Sequence, residues 1–278
     1  MAKEKKVRTH KVLDKPVRAA ILLMIWGFLV PSIATQVASN EDAGYVGMAI
    51  IGILLYGVHK WWFRPEYKGS FSKNFGNKEV NRLFIIVAVV DLIVIIIGFM
   101  ITGIASPTVA MLIKAIVAGV VEELAFRALP LSTMMRKWLD EKHIMFAVIF
   151  TSVFFGLIHG ANILAGADKM STVMQIVFAF TMGMFAAAVY LRTGNIWYTV
   201  VFHAVHDWFS FLTPGVETGI VTVGASVHDL ILSGTISIVQ LAVALYLLRK
   251  SVRADIVEVW KERWSVSDAA AEAATDAN

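Results

Sequence analysis

The chain contains no cysteine among its 278 residues. Disulfides, thiolate metal sites and a cysteine nucleophile are therefore excluded, and the redox compartment is left undetermined. Charge is scarce as well: 17% of residues are Asp, Glu, Lys or Arg, against 58% hydrophobic residues and a mean hydropathy of +0.69. That balance lies outside ordinary soluble domains, and no stretch reads as a soluble domain or an internal repeat. No HExxH helix, phosphate-binding glycine loop, or serine or aspartate intramembrane-protease signature is present. The net charge of +4 does not point to nucleic acid, because the basic residues sit in short segments between apolar runs. This is the positive-inside pattern.

These exclusions leave an all-α polytopic membrane protein, expected as a multi-pass protein of the cell membrane. A spanning helix needs about 20 mostly apolar residues. Eight segments come close, at 17–38, 43–63, 82–104, 108–134, 144–162, 172–191, 196–213 and 220–248. In an alternating bundle, the basic N-terminus (Lys3, Lys5, Lys6, Arg8, Lys11, Lys15), Arg64 to Arg82, Arg136 to His143, Arg192 and Arg249 to Arg253 all fall on one side. That side, with both termini, is predicted cytoplasmic. The opposite links, Ser39 to Gly44, Ile101 to Thr108 and Thr213 to Gly219, are nearly free of lysine and arginine. The first segment also fits a secretory signal, with a basic start, an apolar run from Ala19 to Val30, Pro31 and small residues near Ala38; cleavage there would leave seven spans.

The resulting plan is a basic terminus over 1–16, an eight-helix membrane domain over 17–253 and two C-terminal pieces. In 254–266, Ile256, Trp260 and Trp264 recur every four residues among charges, which predicts a helix lying in the membrane interface. Residues 267–278 are low-complexity and expected to be disordered. Trp61, Trp62, Trp197 and Tyr198 fit aromatic-belt anchors.

Against this apolar background, VEELAFR (Val121 to Arg127) places two carboxylates and an arginine deep inside one span. Each costs roughly 2.5–3.5 kcal/mol at the centre of a membrane helix, so a use is expected for them. Glu123 and Arg127, four apart, share a face and predict an intrahelical ion pair. Glu122 lies about 100° round the helix from Glu123 and has no counter-charge three or four residues away. It is left free to take a proton from water, the role of a general base. All three also suit helix-packing glue or an ion pathway, but other helices carry polar residues at matching depth. His159 ends SVFFGLIHG, four residues after Phe155, and VFHAVHDW carries His203, His206 and Asp207, with His203 and Asp207 one turn apart. At 1.5 Å per residue, Glu122 and His159 lie roughly 20 Å from the cytoplasmic ends of their helices, Asp207 roughly 17 Å and His203 roughly 11 Å. Singly, each histidine fits a hydrogen-bonded core residue. Together with the glutamates they form a candidate site. Without a thiol or an activated serine, the economical chemistry is hydrolysis: Glu122 and His159 bind and deprotonate a water that attacks a carbonyl, and His203 stabilises the oxyanion.

These residues resemble the motifs of the CPBP family, the CAAX proteases and bacteriocin-processing enzymes that include the type II CAAX prenyl endopeptidase. EExxxR matches Glu122, Glu123 and Arg127; FxxxH matches Phe155 and His159; HxxxN/D matches His203 and Asp207. The resemblance spans about residues 80–250. It implies eight helices around a polar, conical intramembrane cavity and an endopeptidase cutting near the membrane surface. It also implies Glu122 as base with His159, Glu123 and Arg127 as supporting pair, and His203 with Asp207 on the oxyanion side. Within the family the same residues are read either as a metal-free glutamate–histidine site or as zinc ligands. The metal-free reading is favoured, with no cofactor expected.

Asp207 stands where many relatives have asparagine, and an anionic carboxylate repels an oxyanion. It could instead hold His203 as a donor, or favour a bound cation. His206 and the His228–Asp229 pair suit support of the site or polar packing near the outer end. The basic, aromatic segment Lys60 to Arg82 suits guiding a substrate chain or a plain interfacial loop. The expected substrate is a membrane-associated, lipidated or prenylated peptide or protein reached from the bilayer, with no nucleic-acid partner. The competing functions are a non-enzymatic immunity or scaffold protein and a proton-coupled transporter, for which buried Glu, His and Asp are also typical.

Overall fold

The computed structural model describes residues 15–63, 66–71, 77–216 and 220–265. The basic terminus up to residue 14, part of the 64–82 link, residues 217–219 and the 267–278 tail lie outside the described residues. Every regular element among the described residues is helical. The chain runs through α1 (Pro16–Val37), α2 (Glu41–Phe63), α3 (Lys78–Thr102), α4 (Val109–Glu123), α5 (Leu129–Lys137), α6 (Glu141–Ile158), α7 (Lys169–Thr193), α8 (Trp197–Phe211), α9 (Val227–Leu247) and α10 (Arg253–Trp264). Local chemistry sets many of the starts. The side chains of Asn77, Thr108 and Asp168 each accept a backbone N–H from the first turn of α3, α4 and α7, and Ser226 with Asp229 closes a capping box on α9. At Asp168, this bond from Ser171 N–H (2.9 Å) holds the carboxyl below its ordinary range.

Among the described residues six helices are long and apolar enough to cross a membrane: α1, α2, α3, α6 with the short 3-10 extension that follows it, α7 and α9. The protein is thus an all-α, multi-pass membrane protein. The two expected spans that fall short are those that carry the motif residues Glu122, Glu123 and Arg127 and His203 and Asp207. α8 has 15 residues, and the run expected over 108–134 is not one regular helix. It leaves α-geometry at Leu124–Ala128, a π-turn in which Leu129 N–H reaches back five residues to Leu124 O, before α5 resumes. Pro130 supplies the cause: it has no N–H to offer the carbonyl of Phe126 and its ring would crowd that carbonyl in a regular helix. Widening the preceding turn relieves both problems.

The chain's two sets of links gather at opposite ends. At the basic end Lys68 N–H donates to Arg263 O (2.8 Å) and Ile196 N–H to Ser70 O (2.9 Å). At the other end Ala105 N–H donates to Leu212 O (2.7 Å) and Asp168 N–H to Val221 O (2.9 Å). α7 is the most enclosed of the long helices, and α3 the least.

The C-terminal helix packs on the bundle, with Ile256, Trp260 and Trp264 buried at its basic end. Trp260 donates to Leu191 O and Trp264 to Ser132 O, both at 3.1 Å, and the Trp264 ring stacks on Tyr67 at 4.5 Å. Polar tips on apolar rings explain the choice: backbone carbonyls of α5 and α7 accept the indole N–H groups while the rings cover apolar surface. Trp61, Trp62 and Trp197 keep exposed faces, as belt residues would.

α4 and α8 pack directly on each other, and Gly119 is what permits it. A Cβ at that position would lie 2.8 Å from both Ala204 Cβ and Val200 O. Gly119→Ala should therefore push the two helices apart at a cost of about 1–3 kcal/mol, lowering the melting temperature in detergent. Gly57→Ala, where nothing lies within 4 Å of the added carbon, should leave it unchanged or raise it; equal losses at the two positions would refute the close-approach argument.

Candidate active site

Glu122 and Glu123 end α4, where the helix meets α8 and the π-turn begins. Their surroundings differ sharply. Glu123 is fully buried, with Oε1 3.0 Å from Arg127 Nη1, the pair anticipated from their spacing. The same oxygen accepts a hydrogen bond from His203 Nδ1 at 2.9 Å, a contact between α4 and α8 that spacing within one helix does not reveal. A carboxylate only accepts, so the bond places a proton on Nδ1 of His203. Nε2 of that ring points toward two further carboxylates, Asp207 Oδ2 at 3.4 Å and Glu122 Oε2 at 3.8 Å.

Exposure separates the group into two layers. The side chains of Glu122 and Asp207 are 18% and 21% exposed, those of Glu123, Arg127 and His203 between 0% and 4%. Water can reach the first two and not the last three. His203 therefore bridges the layers, with one nitrogen tied to the hidden carboxylate and the other facing the accessible pair.

His159 joins the accessible layer through electrostatic contact with both Glu122 and Asp207. It stands at the end of α6, where its own backbone N–H turns to Gly156 O and leaves the Phe155 carbonyl to other donors. The His159 ring fills that gap, donating from Nδ1 to Phe155 O at 2.7 Å. The neutral ring then presents the Nε2 lone pair as an acceptor. Phe155 also links the motifs through its ring, which lies 3.9 Å from the Arg127 guanidinium and edge-on to His159 (5.0 Å) and His203 (5.8 Å). The close F-x-x-x-H pair thus supplies a carbonyl for the histidine and an aromatic cover for the buried cation.

Space for that cation comes from α7. A Cβ on Gly183 would lie 3.1 Å from Arg127 Nη2 and 3.1 Å from Ser152 Cβ. Glycine here lets three helical segments close around a guanidinium.

All seven motif residues are thus brought into one neighbourhood. His206 turns elsewhere, to Asp91 on α3, and His228 pairs with its neighbour Asp229 at 3.4 Å. Sequence reading missed Asp91, Gly119 and Gly183. Asp91 carried a signal, as the one charge between Arg82 and the end of α3. A cavity of about 530 Å³ borders Asp91 and His206, and none of Glu122, His159, His203 and Asp207 lines it. Zinc ligation was the alternative use of the site residues. Among the described residues no group of three or more histidine or carboxylate side chains is arranged to hold a metal ion.

Residues 104–209 match the family described as type II CAAX prenyl endopeptidase, Rce1-like. That stretch contains every motif residue from Glu122 to Asp207 and excludes Asp91, so the resemblance carried by the three motifs holds. Peptidase activity is the general property of that family. No curated protein matches the chain.

The two layers predict opposite mutational outcomes. Glu123→Ala leaves Arg127 as an unpaired buried charge and should cost about 3–5 kcal/mol of stability. Glu122→Ala should change stability by about 1 kcal/mol or less, as expected for a partly exposed group outside any tight bond. Thermal or denaturant unfolding of the two variants in detergent checks this, and the account fails if Glu122→Ala is the more damaging.

Proposed function

We propose that the protein is an intramembrane endopeptidase of the cell membrane, with eight spans and both termini cytoplasmic, that hydrolyses a membrane-associated, lipidated or prenylated peptide. The observation that carries this reading is the contrast between the paired, buried Glu123 and the accessible Glu122 beside two histidines.

In this mechanism a water sits between Glu122 and Nε2 of His159. His159, fixed by Phe155 O, accepts one hydrogen bond from the water and orients it. Glu122 takes the water's proton as the oxygen attacks the scissile carbonyl carbon. The carbonyl oxygen, now an oxyanion, accepts a hydrogen bond from His203 Nε2. Charge develops there only along the reaction path, so a donor already aimed at it lowers the barrier without reorganising. When the intermediate collapses, the C–N bond breaks and the proton on Glu122 passes to the departing amine, which leaves one carboxylic acid and one amine product.

The roles of Glu123 and Asp207 follow from their distances. Glu123 holds the His203 ring in place from behind, and Arg127 balances the charge this adds. Asp207, 3.4 Å from Nε2, keeps a proton on the nitrogen that faces substrate. Its own negative charge is offset by the proton it keeps on His203 Nε2. The site needs no metal in this scheme.

Comparing membrane proteomes of cells carrying the wild-type protein and Glu122→Ala tests the function. At least one processed peptide should disappear in the variant, and its rate of cleavage in membranes should fall by about 10²–10⁴-fold. Identical proteomes, with Glu122→Ala folded and present, would instead favour a scaffold or immunity protein. Asp207→Asn separates the two roles of that residue: cleavage should persist without added metal, and a loss restored by zinc would contradict the orienting role.

A further inference from the structure

We propose that Asp91, on α3, is a positioning residue for the site: through His206 it fixes the rotation of α8, and with it the direction in which His203 and Asp207 point. The consequence for turnover rests on the endopeptidase reading; the geometric claim does not.

Asp91 is 5% exposed on the most lipid-exposed of the long helices, where an unpartnered carboxylate would be costly. Its two oxygens lie 3.1 and 3.0 Å from Nδ1 of His206, which can only be the donor to them. The His206 ring is further confined by Phe178, stacked at 4.6 Å and 22°, and by Ser210 Oγ, 3.3 Å from Nε2. His206 precedes Asp207 directly and follows His203 by three residues, so it projects about 100° from Asp207 and about 60° from His203.

α8 is consequently tied at two points on its circumference, by His203 to Glu123 of α4 and by His206 to Asp91 of α3. Turning α8 to carry Nε2 of His203 away from Glu122, now 3.8 Å distant, would have to stretch both bonds. Neither Asp91 nor His206 hydrogen-bonds to the accessible layer, and none of its members lines the cavity of about 530 Å³ that the two border, although His206 lies within electrostatic reach of Asp207. Asp91 therefore acts on the reacting groups only through His206. It lies outside the stretch matched to the family, so no motif assigns it this role.

The test uses the full chain with ¹⁵N-labelled histidine in lipid nanodiscs, the seven histidine signals being assigned by single substitutions. The informative variant is the double change Asp91→Leu, His206→Leu. Replacing a buried ion pair with apolar residues of similar volume is often neutral or stabilising, so the fold is retained while the tie is lost. The ring nitrogen resonances of His203 should move in this variant, and any processing that depends on Glu122 should slow by about ten- to hundredfold. Asp91→Asn, whose amide oxygen still accepts from His206, should restore both toward wild type. Val87→Ala, a packing lesion one turn away on α3, should leave the His203 resonances in place. Unmoved His203 resonances in the double variant, or an equal shift in Val87→Ala, would overturn the proposal. If Glu122→Ala abolishes no processing at all, the endopeptidase reading falls, while the resonances still decide the role of Asp91.

Discussion

Everything at the centre of this protein depends on keeping Glu123 and Arg127 charged and together inside an apolar bundle. Removing two ions from water is expensive, and their attraction offsets this only when geometry and neighbours are right. Several otherwise separate features meet that demand. The π-turn carries Arg127, Gly183 leaves room for its guanidinium, and the Phe155 ring covers it at 3.9 Å. Gly119 brings α8 close enough for His203 to bond the same carboxylate. A structural ion pair has thereby become the mount for a histidine that faces the accessible side.

That mount explains why two adjacent glutamates have such different fates. One residue is a rotation of about 100° along a helix, enough to put Glu123 against α8 and Glu122 toward water. The hidden carboxylate gives up its freedom to position a ring. The accessible one retains its freedom, and its neighbours His159 and Asp207 come from two other helices, α6 and α8. Chemistry at this site thus requires α4, α6 and α8 to stay in register, and Gly119 is what lets α4 and α8 touch closely.

Much of this was legible in the sequence, and the boundary of legibility is physical. Apolar length disclosed most of the helical runs, because it is a one-dimensional consequence of crossing a bilayer. Spacing of three or four residues disclosed Glu123 with Arg127, Phe155 with His159, and His203 with Asp207, because each pair lies on one helix face. The bond from His203 to Glu123 joins residues 80 apart, and periodicity is silent about which helices pack together. The break at Leu124–Ala128 was hidden because a π-turn has the same apolar composition as the helix around it; only Pro130 marked it. The four-residue recurrence of Ile256, Trp260 and Trp264 marked α10 as a helix, but the backbone carbonyls of α5 and α7 that its tryptophans reach could be known only from the fold. Asp91 stood out as a lone charge, yet its partner could be known only from the fold.

The central claim is that His203 is mechanically tied to Glu123 and not to Glu122. Double-mutant cycles on unfolding free energy, one for Glu123 with His203 and one for Glu122 with His203, measure this directly. The account predicts a coupling of about 1.5–3 kcal/mol for the first, the range for a hydrogen bond to a charged group, and about 0.5 kcal/mol or less for the second. Equal couplings, or a larger one at Glu122, would contradict it.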